Sequence, residues 1–315
     1  MFKYLTGRFL LGVPTLLAVM LIVFTLTYIS PFDPVKLMLL QNEVRQQDDP
    51  ELIARIRRQY GYDQPYVTQF VNYITRTVRG DWGISINGQR DILKAVQATL
   101  PISAQLGLAA ALITALVGIP LGALAALKQN SWLDYFIVGG TLVLRTIPVY
   151  VMGPLMLILF VLVLHWMKVP RGWNGLFNSQ TILPIIILTF GPLAVVVRQT
   201  RQAVLEVFAQ DYVRTAKAKG LSTYATLVRH ILRNALIPVV TALGFITEGL
   251  IASSVFLDNI FAIPGFGSLS ENAFRQLDYP VILGITLVSS ILIILTNTLV
   301  DLIYPFLDPR VTLES

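Results

Sequence analysis

Few residues in this 315-residue chain could do bond-making chemistry. It has two histidines, His165 and His230, and no cysteine. That excludes disulfides, thiolate metal sites and cysteine nucleophiles. No H-E-x-x-H motif accompanies the histidines, and the sequence predicts no catalytic residue and no metal site. A G-x4-G-K-[ST] phosphate loop is also missing, so any nucleotide must be handled by another chain. What remains are charges in costly places. Arg145, Glu248 and Asp301 fall inside apolar stretches, where inserting an ionised side chain costs about 2.5–3.5 kcal/mol. Arg145 and Glu248, with Ser253 a little further on, are candidates to line a solute path. The competing reading pairs each with a neighbouring helix or places it nearer the interface. Asp301, near the end of the last stretch, reads as interfacial.

A second polar feature is the segment 211–238, which begins Asp-Tyr-Val-Arg-Thr-Ala-Lys-Ala-Lys-Gly-Leu and continues to Arg-His-Ile-Leu-Arg-Asn-Ala-Leu-Ile-Pro. Charged and helix-interrupted, it cannot enter hydrocarbon and must lie on a membrane surface. Val204, Val207, Phe208, Asp211, Tyr212 and Thr215 recur at helical spacing. They predict a helix that ends at Gly220, with Ser222 capping a new one through Arg229. The product is a projecting elbow whose small residues Ala216 and Ala218, with Leu221, suit a groove on another protein. Lys217 and Lys219 stay solvated or touch lipid headgroups. A surface helix without a partner fits the same pattern.

The elements that must position these residues are membrane helices. Hydrophobic residues make up 55% of the chain and charged ones 13%, against about 25% charged in soluble domains. Mean hydropathy is +0.67. The formal charge of +6 does not point to nucleic acid, because the cations cluster beside apolar stretches, where membrane orientation explains them. Six segments approach the roughly 20 residues that cross a bilayer: 10–29, 101–127, 135–164, 182–199, 236–257 and 281–305. The first lacks a small-residue cleavage site and reads as a retained anchor. Segment 200–234 sets six cations against two carboxylates, net +4, whereas 258–280 has only Arg275 against Asp258, Glu271 and Asp278. The basic loop is therefore expected inside, with both termini.

This predicts an all-α membrane protein divided into four parts. Residues 1–29 are the inner end and first span, and 30–100 an outer loop or cap. Residues 101–305 form a five-helix core carrying the inner loop 200–235, and 306–315 an inner tail. Within the cap, residues 51–60 and 66–78 read as helices punctuated by Gly61 and Pro65, and Asn87-Gly88 as a turn. The cap either shields the mouth of the bundle or receives a soluble partner. Gly118-Ile-Pro-Leu-Gly122 puts small residues four apart, permitting close approach of another helix. Pro148, Pro154, Pro184, Pro192 and Pro238 are expected to bend spans.

Arg214-Thr215-Ala216, three residues, Gly220, nine residues and His230-Ile231-Leu232 keep the spacing of E-A-A-x3-G-x9-I-x-L-P, the cytoplasmic signature of ABC importer permeases. Arg214, Thr215, His230 and Arg233 replace the glutamate, first alanine, isoleucine and proline, in the manner of the dipeptide/oligopeptide/nickel subfamily. Arg8-Phe-Leu-Leu-Gly-Val-Pro14, Asp33-Pro34, Tyr60-Gly-Tyr-Asp-Gln-Pro65 with Gln69, Gly80-Asp-Trp-Gly-Ile-Ser85 and Phe261-Ala-Ile-Pro-Gly-Phe-Gly267 also resemble landmarks of that subfamily. The resemblance covers essentially the whole chain.

It implies a type I importer permease of six transmembrane helices, N-in and C-in, in the inner membrane of a prokaryote. Two ATP-binding subunits, a homologous permease subunit and an extracytoplasmic substrate-binding protein would surround it, in contact with lipid. ATP and magnesium would be bound by the partner subunits, with no cofactor in this chain. Asp211, Tyr212, Arg214, Thr215, Ala216, Lys217, Gly220 and Leu221 would couple it to the ATPases. The subfamily carries di- and oligopeptides, nickel complexes and, in some members, oligosaccharides; peptides are the expectation here. A secondary transporter would need richer embedded relays than three ionisable residues. An intramembrane enzyme would need a nucleophile and base that the chain lacks.

Overall fold

The computed structural model describes residues 2–41, 49–88, 90–252 and 255–307. Among these the regular structure is helical, apart from one isolated bridge between Ile84 and Asp91. Five helices are long and apolar enough to cross a membrane: Leu10–Tyr28 of α1 (Phe2–Tyr28), α5 (Ile92–Leu127), α8 (Ser179–Phe208), Thr223–Ile251, and α14 (Tyr279–Leu307) over Tyr279–Ile303. Between α1 and α5 come α2 (Pro34–Gln41), α3 (Pro50–Tyr60) and α4 (Tyr66–Val78), the last two on the expected cap segments. Gly61, at φ 73°, ends α3 by accepting the left-handed turn that a Cβ disfavours.

The expected span 135–164 is present and is bent beside Pro148, where the sequence placed a bend. It is a pair, α6 (Trp132–Thr146) and α7 (Val149–Leu157) with a π-helical continuation Ile158–Val163, bent by 97°. The cause is local: Pro148 drives the preceding Ile147 out of the helical region, to φ −83° and ψ 116°. Counted as one unit, the pair makes a sixth span. Other boundaries shifted by several residues in either direction. The second spanning helix begins at Ile92 rather than 101, because Asp91 caps it by accepting the Lys94 N–H at 3.0 Å.

Helix α5 lies against α8 as the spine of the bundle, with α6 on α8 and α1 on α14. The Gly118/Gly122 pair permits this contact. A Cβ on Gly122 would sit 2.5 Å from the Val197 carbonyl oxygen and 2.7 Å from Thr200 Cβ, and one on Gly118 2.8 Å from Val196 Cγ1. Backbones come this close only where side chains vanish, and close approach is what holds helices together in lipid. Val196, Val197 and Ala194 are consequently fully buried.

Candidate functional site

At the end of the bundle where α5 finishes and α8 finishes, the chain makes the elbow. The single helix expected through Val204 and Thr215 is interrupted: α8 stops at Phe208, Gln210 is extended at φ −74° and ψ 146°, and α9 (Asp211–Ala218) restarts in a new direction. Its stop is a Schellman turn. Gly220 N–H reaches the Lys217 carbonyl at 2.9 Å and Leu221 N–H the Ala216 carbonyl at 3.3 Å, with Gly220 at φ 81°. Ser222 then caps α10 (Thr223–Thr226) by accepting the Ala225 N–H at 3.2 Å. A π-helical turn, Leu227–Ile231, leads into α11 (Leu232–Ala252).

The elbow has two faces. Val213 is fully buried, beside Ala123 and Ala126 of α5, Ala203 and Val204 of α8, and Leu227, Ile231 and Ala235. Ala216 is also buried, so this small residue faces the bundle and not, as its type suggested, an external groove. Leu221 is half-buried. Outward stand Asp211, Tyr212, Arg214, Thr215, Lys217, Ala218 and Gly220. Asp211 and Arg214 face each other at 3.5 Å, and Thr215 Oγ1 donates to the Asp211 carbonyl at 3.0 Å. Tyr212 Oη accepts from Asn234 Nδ2 at 2.7 Å, tying α9 to α11. The Lys217 ammonium lies 4.2 Å from the centre of the Phe208 ring, tying α9 back to α8. Helix α9 is thus packed together with residues of α5, α8 and α11.

One element of this end was missed in the sequence. Arg201 on α8 forms a two-pronged ion pair with Asp134 on α6, Nε to Oδ1 and Nη2 to Oδ2, both 2.7 Å. The Asp134 side chain is 3% exposed, and its second carboxylate oxygen also accepts the Asn130 N–H at 3.0 Å. Arg201 had been counted only as a loop cation. The available signal was Asn130-Ser131-Trp132-Leu133-Asp134, a cap followed three residues later by an acid inside an otherwise apolar stretch.

The path candidates do not converge on one another in any ion pair. Arg145 is exposed in the last turn of α6, just before the 97° bend. Glu248 is half-buried on α11. Neither forms a salt bridge among the described residues. Ser253 lies outside the described residues. A groove of about 860 Å³ opens instead between α13 (Phe266–Arg275) and α14, lined by Ser270, Glu271, Arg275, Thr286, Ser289 and Ser290 among others, and neither Arg145 nor Glu248 contributes to it. No group of three metal-ligating side chains occurs among the described residues.

At the opposite end, two buried carboxylates organise the mouth. Asp258, on α12 (Val255–Ile260), accepts the Ser268 N–H at 3.1 Å, and Ser103 Oγ accepts the Phe266 N–H at 2.8 Å. Between them Gly265 leaves no room for a Cβ, which accounts for Pro264-Gly265-Phe266. Asp278 accepts the Ser85 hydroxyl and the Ile86 N–H, and so joins the cap to the start of α14. Tyr62 lies close by. Burial first, then the Asp278 charge, pushes its phenol from 10.0 up to about 12.

A bundle of spans around a small-residue spine, with a helical elbow resting on it at one end, is the fold of a type I ABC importer permease. The likeness to solved structures agrees: an inward-facing methionine ABC transporter, MetNI, superposes with a TM-score of 0.56 at 17% identity, over 68% of this chain and 97% of that one. Residues 118–313 match the model of the binding-protein-dependent transport system inner membrane component, and residues 1–106 that of its N-terminal region. The chain belongs to this family. Among relatives, the dipeptide transport system permease protein DppB of Bacillus subtilis (strain 168) is 34% identical over 100% of this chain and 99% of its own length. The oligopeptide transport system permease protein OppB of Escherichia coli (strain K12) is 33% identical over 99% of each. DppB of Haemophilus influenzae is 37% identical, also over 99% of each.

Proposed function

We propose that this chain is a path-forming subunit of an ATP-driven importer of di- or oligopeptides in the inner membrane of a prokaryote, with α9 as the surface that an ATP-binding subunit moves. The observation that carries the coupling reading is the two-faced elbow. Val213 and Ala216 lock α9 onto the bundle, while Asp211, Arg214, Thr215 and Lys217 are left facing outward. The basic loop would lie inside, with both termini, and the cap outside. A second permease would complete the path, a binding protein would deliver substrate at the cap, and ATP and magnesium would be held by the partner subunits. The peptide assignment is supported by the names of the DppB and OppB relatives, each aligned over nearly its full length.

Nucleotide can shift the inward/outward equilibrium only through contacts that differ between the two states. The elbow, tied to three spanning helices, is placed to carry that difference. A photocrosslinker at Arg214 tests this in the purified assembly. It should capture an ATP-hydrolysing subunit, with a yield that changes when ATP is trapped; capture of lipid alone, or no change on trapping, would refute the coupling role.

A further inference from the structure

We propose that α4 is an in-plane anchor that sets the cap into the membrane boundary, with Val67, Val71 and Val78 buried in lipid. This is independent of the substrate. Successive residues of a helix advance by about 100°, so α4 divides into three sectors. Tyr66, Phe70, Tyr73 and Thr77 share the first. Val67, Val71, Ile74 and Val78 share the second, adjacent one. Thr68, Gln69, Asn72, Thr75, Arg76 and Arg79 occupy the rest. The aromatic sector is covered by α1. The valine sector is not, with Val67 67% exposed, Val71 53% and Val78 82%.

The depth of α4 says what covers that sector. The 19 residues Leu10–Tyr28 of α1 rise about 28 Å, close to the roughly 30 Å of a hydrocarbon core. Phe24 therefore lies about 6 Å inside the boundary marked by Tyr28. Its ring meets those of Phe70 at 5.3 Å, Tyr66 at 5.7 Å and Tyr73 at 5.8 Å. Three rings from two turns of α4 gathered on one side chain mean that α4 crosses α1 there. Thr25 Oγ1 and Tyr66 Oη, 2.7 Å apart, fix the same level. Interfacial helices sink about 5–10 Å into the headgroup–acyl boundary, which matches. Leu21, Ile22 and Leu26 of α1, exposed at this depth, continue the lipid-facing surface. Arg79, on the polar sector, is suited to lipid phosphates, while Arg76 beside it is paired with Asp81 at 2.8 Å.

The chain has no native cysteine, so single cysteines can be labelled cleanly. Val71→Cys, Val78→Cys and, on the polar sector, Asn72→Cys would each carry an NBD fluorophore. The transporter is reconstituted in vesicles of phosphatidylethanolamine and phosphatidylglycerol. Probes at 71 and 78 should be quenched several-fold more by doxyl-labelled lipid than the probe at 72, and several-fold less by aqueous iodide. Iodide quenching at 71 and 78 equal to that at 72 would overturn the anchor. So would shielding from both quenchers, which marks a protein contact, or shielding that appears only when a soluble binding protein is added. All three positions are exposed, so the substitutions leave the packing intact.

Discussion

Arg201 and Asp134 hold α8 and α6 together at the elbow end of the bundle by two parallel hydrogen bonds of 2.7 Å. The pair lies beside the α5–α8 contact: Gly122 abuts Thr200 and the Arg201 backbone, and Ala123 and Ala126 belong to the cluster that buries Val213. Its geometry is of the kind that resists shear, because a planar guanidinium matched to a carboxylate tolerates little rotation.

Removing one partner should be worse than removing both. Arg201→Met leaves a nearly buried carboxylate uncompensated and is expected to cost about 3 kcal/mol. The Arg201→Met/Asp134→Leu double variant should recover much of that loss. Thermal unfolding in detergent, analysed as a double-mutant cycle, reads the difference. A double-variant loss equal to the sum of the Arg201→Met and Asp134→Leu losses would mean that the pair carries no coupling energy.

Gly122 has no spare space, whereas Gly139 has nothing within 4 Å of where a Cβ would sit. Gly122→Ala should destabilise the α5–α8 contact by about 1–3 kcal/mol. Gly139→Ala should be neutral or slightly stabilising, since a helical glycine gains from a methyl group. Melting temperatures of the two variants side by side check the contrast.

Gly220 makes the opposite case. Nothing crowds it, but its φ of 81° strains any β-branched residue. Gly220→Val should cost about 1–2 kcal/mol locally and lower peptide uptake per ATP hydrolysed. Gly220→Asn, which tolerates the left-handed region, should retain coupling. Parallel uptake and ATPase assays decide it; equal coupling ratios for the two variants would separate the turn from function.

The raised phenol of Tyr62 has a pH signature. Its folded value of about 12 lies above the ordinary 10.0, so folding favours the neutral form. That contribution is complete below pH 10 and is lost as pH rises from 10 through about 12. Tyr62→Phe should flatten the alkaline decline in cap stability, followed by tyrosinate absorbance together with hydrogen exchange of residues 60–70. An unchanged decline would place the sensitive group elsewhere.

Composition and periodicity alone identify a helical membrane protein, because spans of about 20 apolar residues have few other fates. The Gly118/Gly122 contact, the helical segments of the cap and the turn at Gly220 were also legible, since each follows from local geometry. The 97° bend is prefigured by Ile147-Pro148, yet its amplitude depends on what α7 packs against. Only the tertiary structure decided which side of α9 is buried: Ala216 and Ala218 look alike in sequence, yet the first is buried and the second exposed, because the bundle packs on the side that Val213 also faces. The same holds for Asp134 and Arg201, 67 residues apart. A charge pair across two helices is fixed by the register in which they dock, and no local pattern records that register.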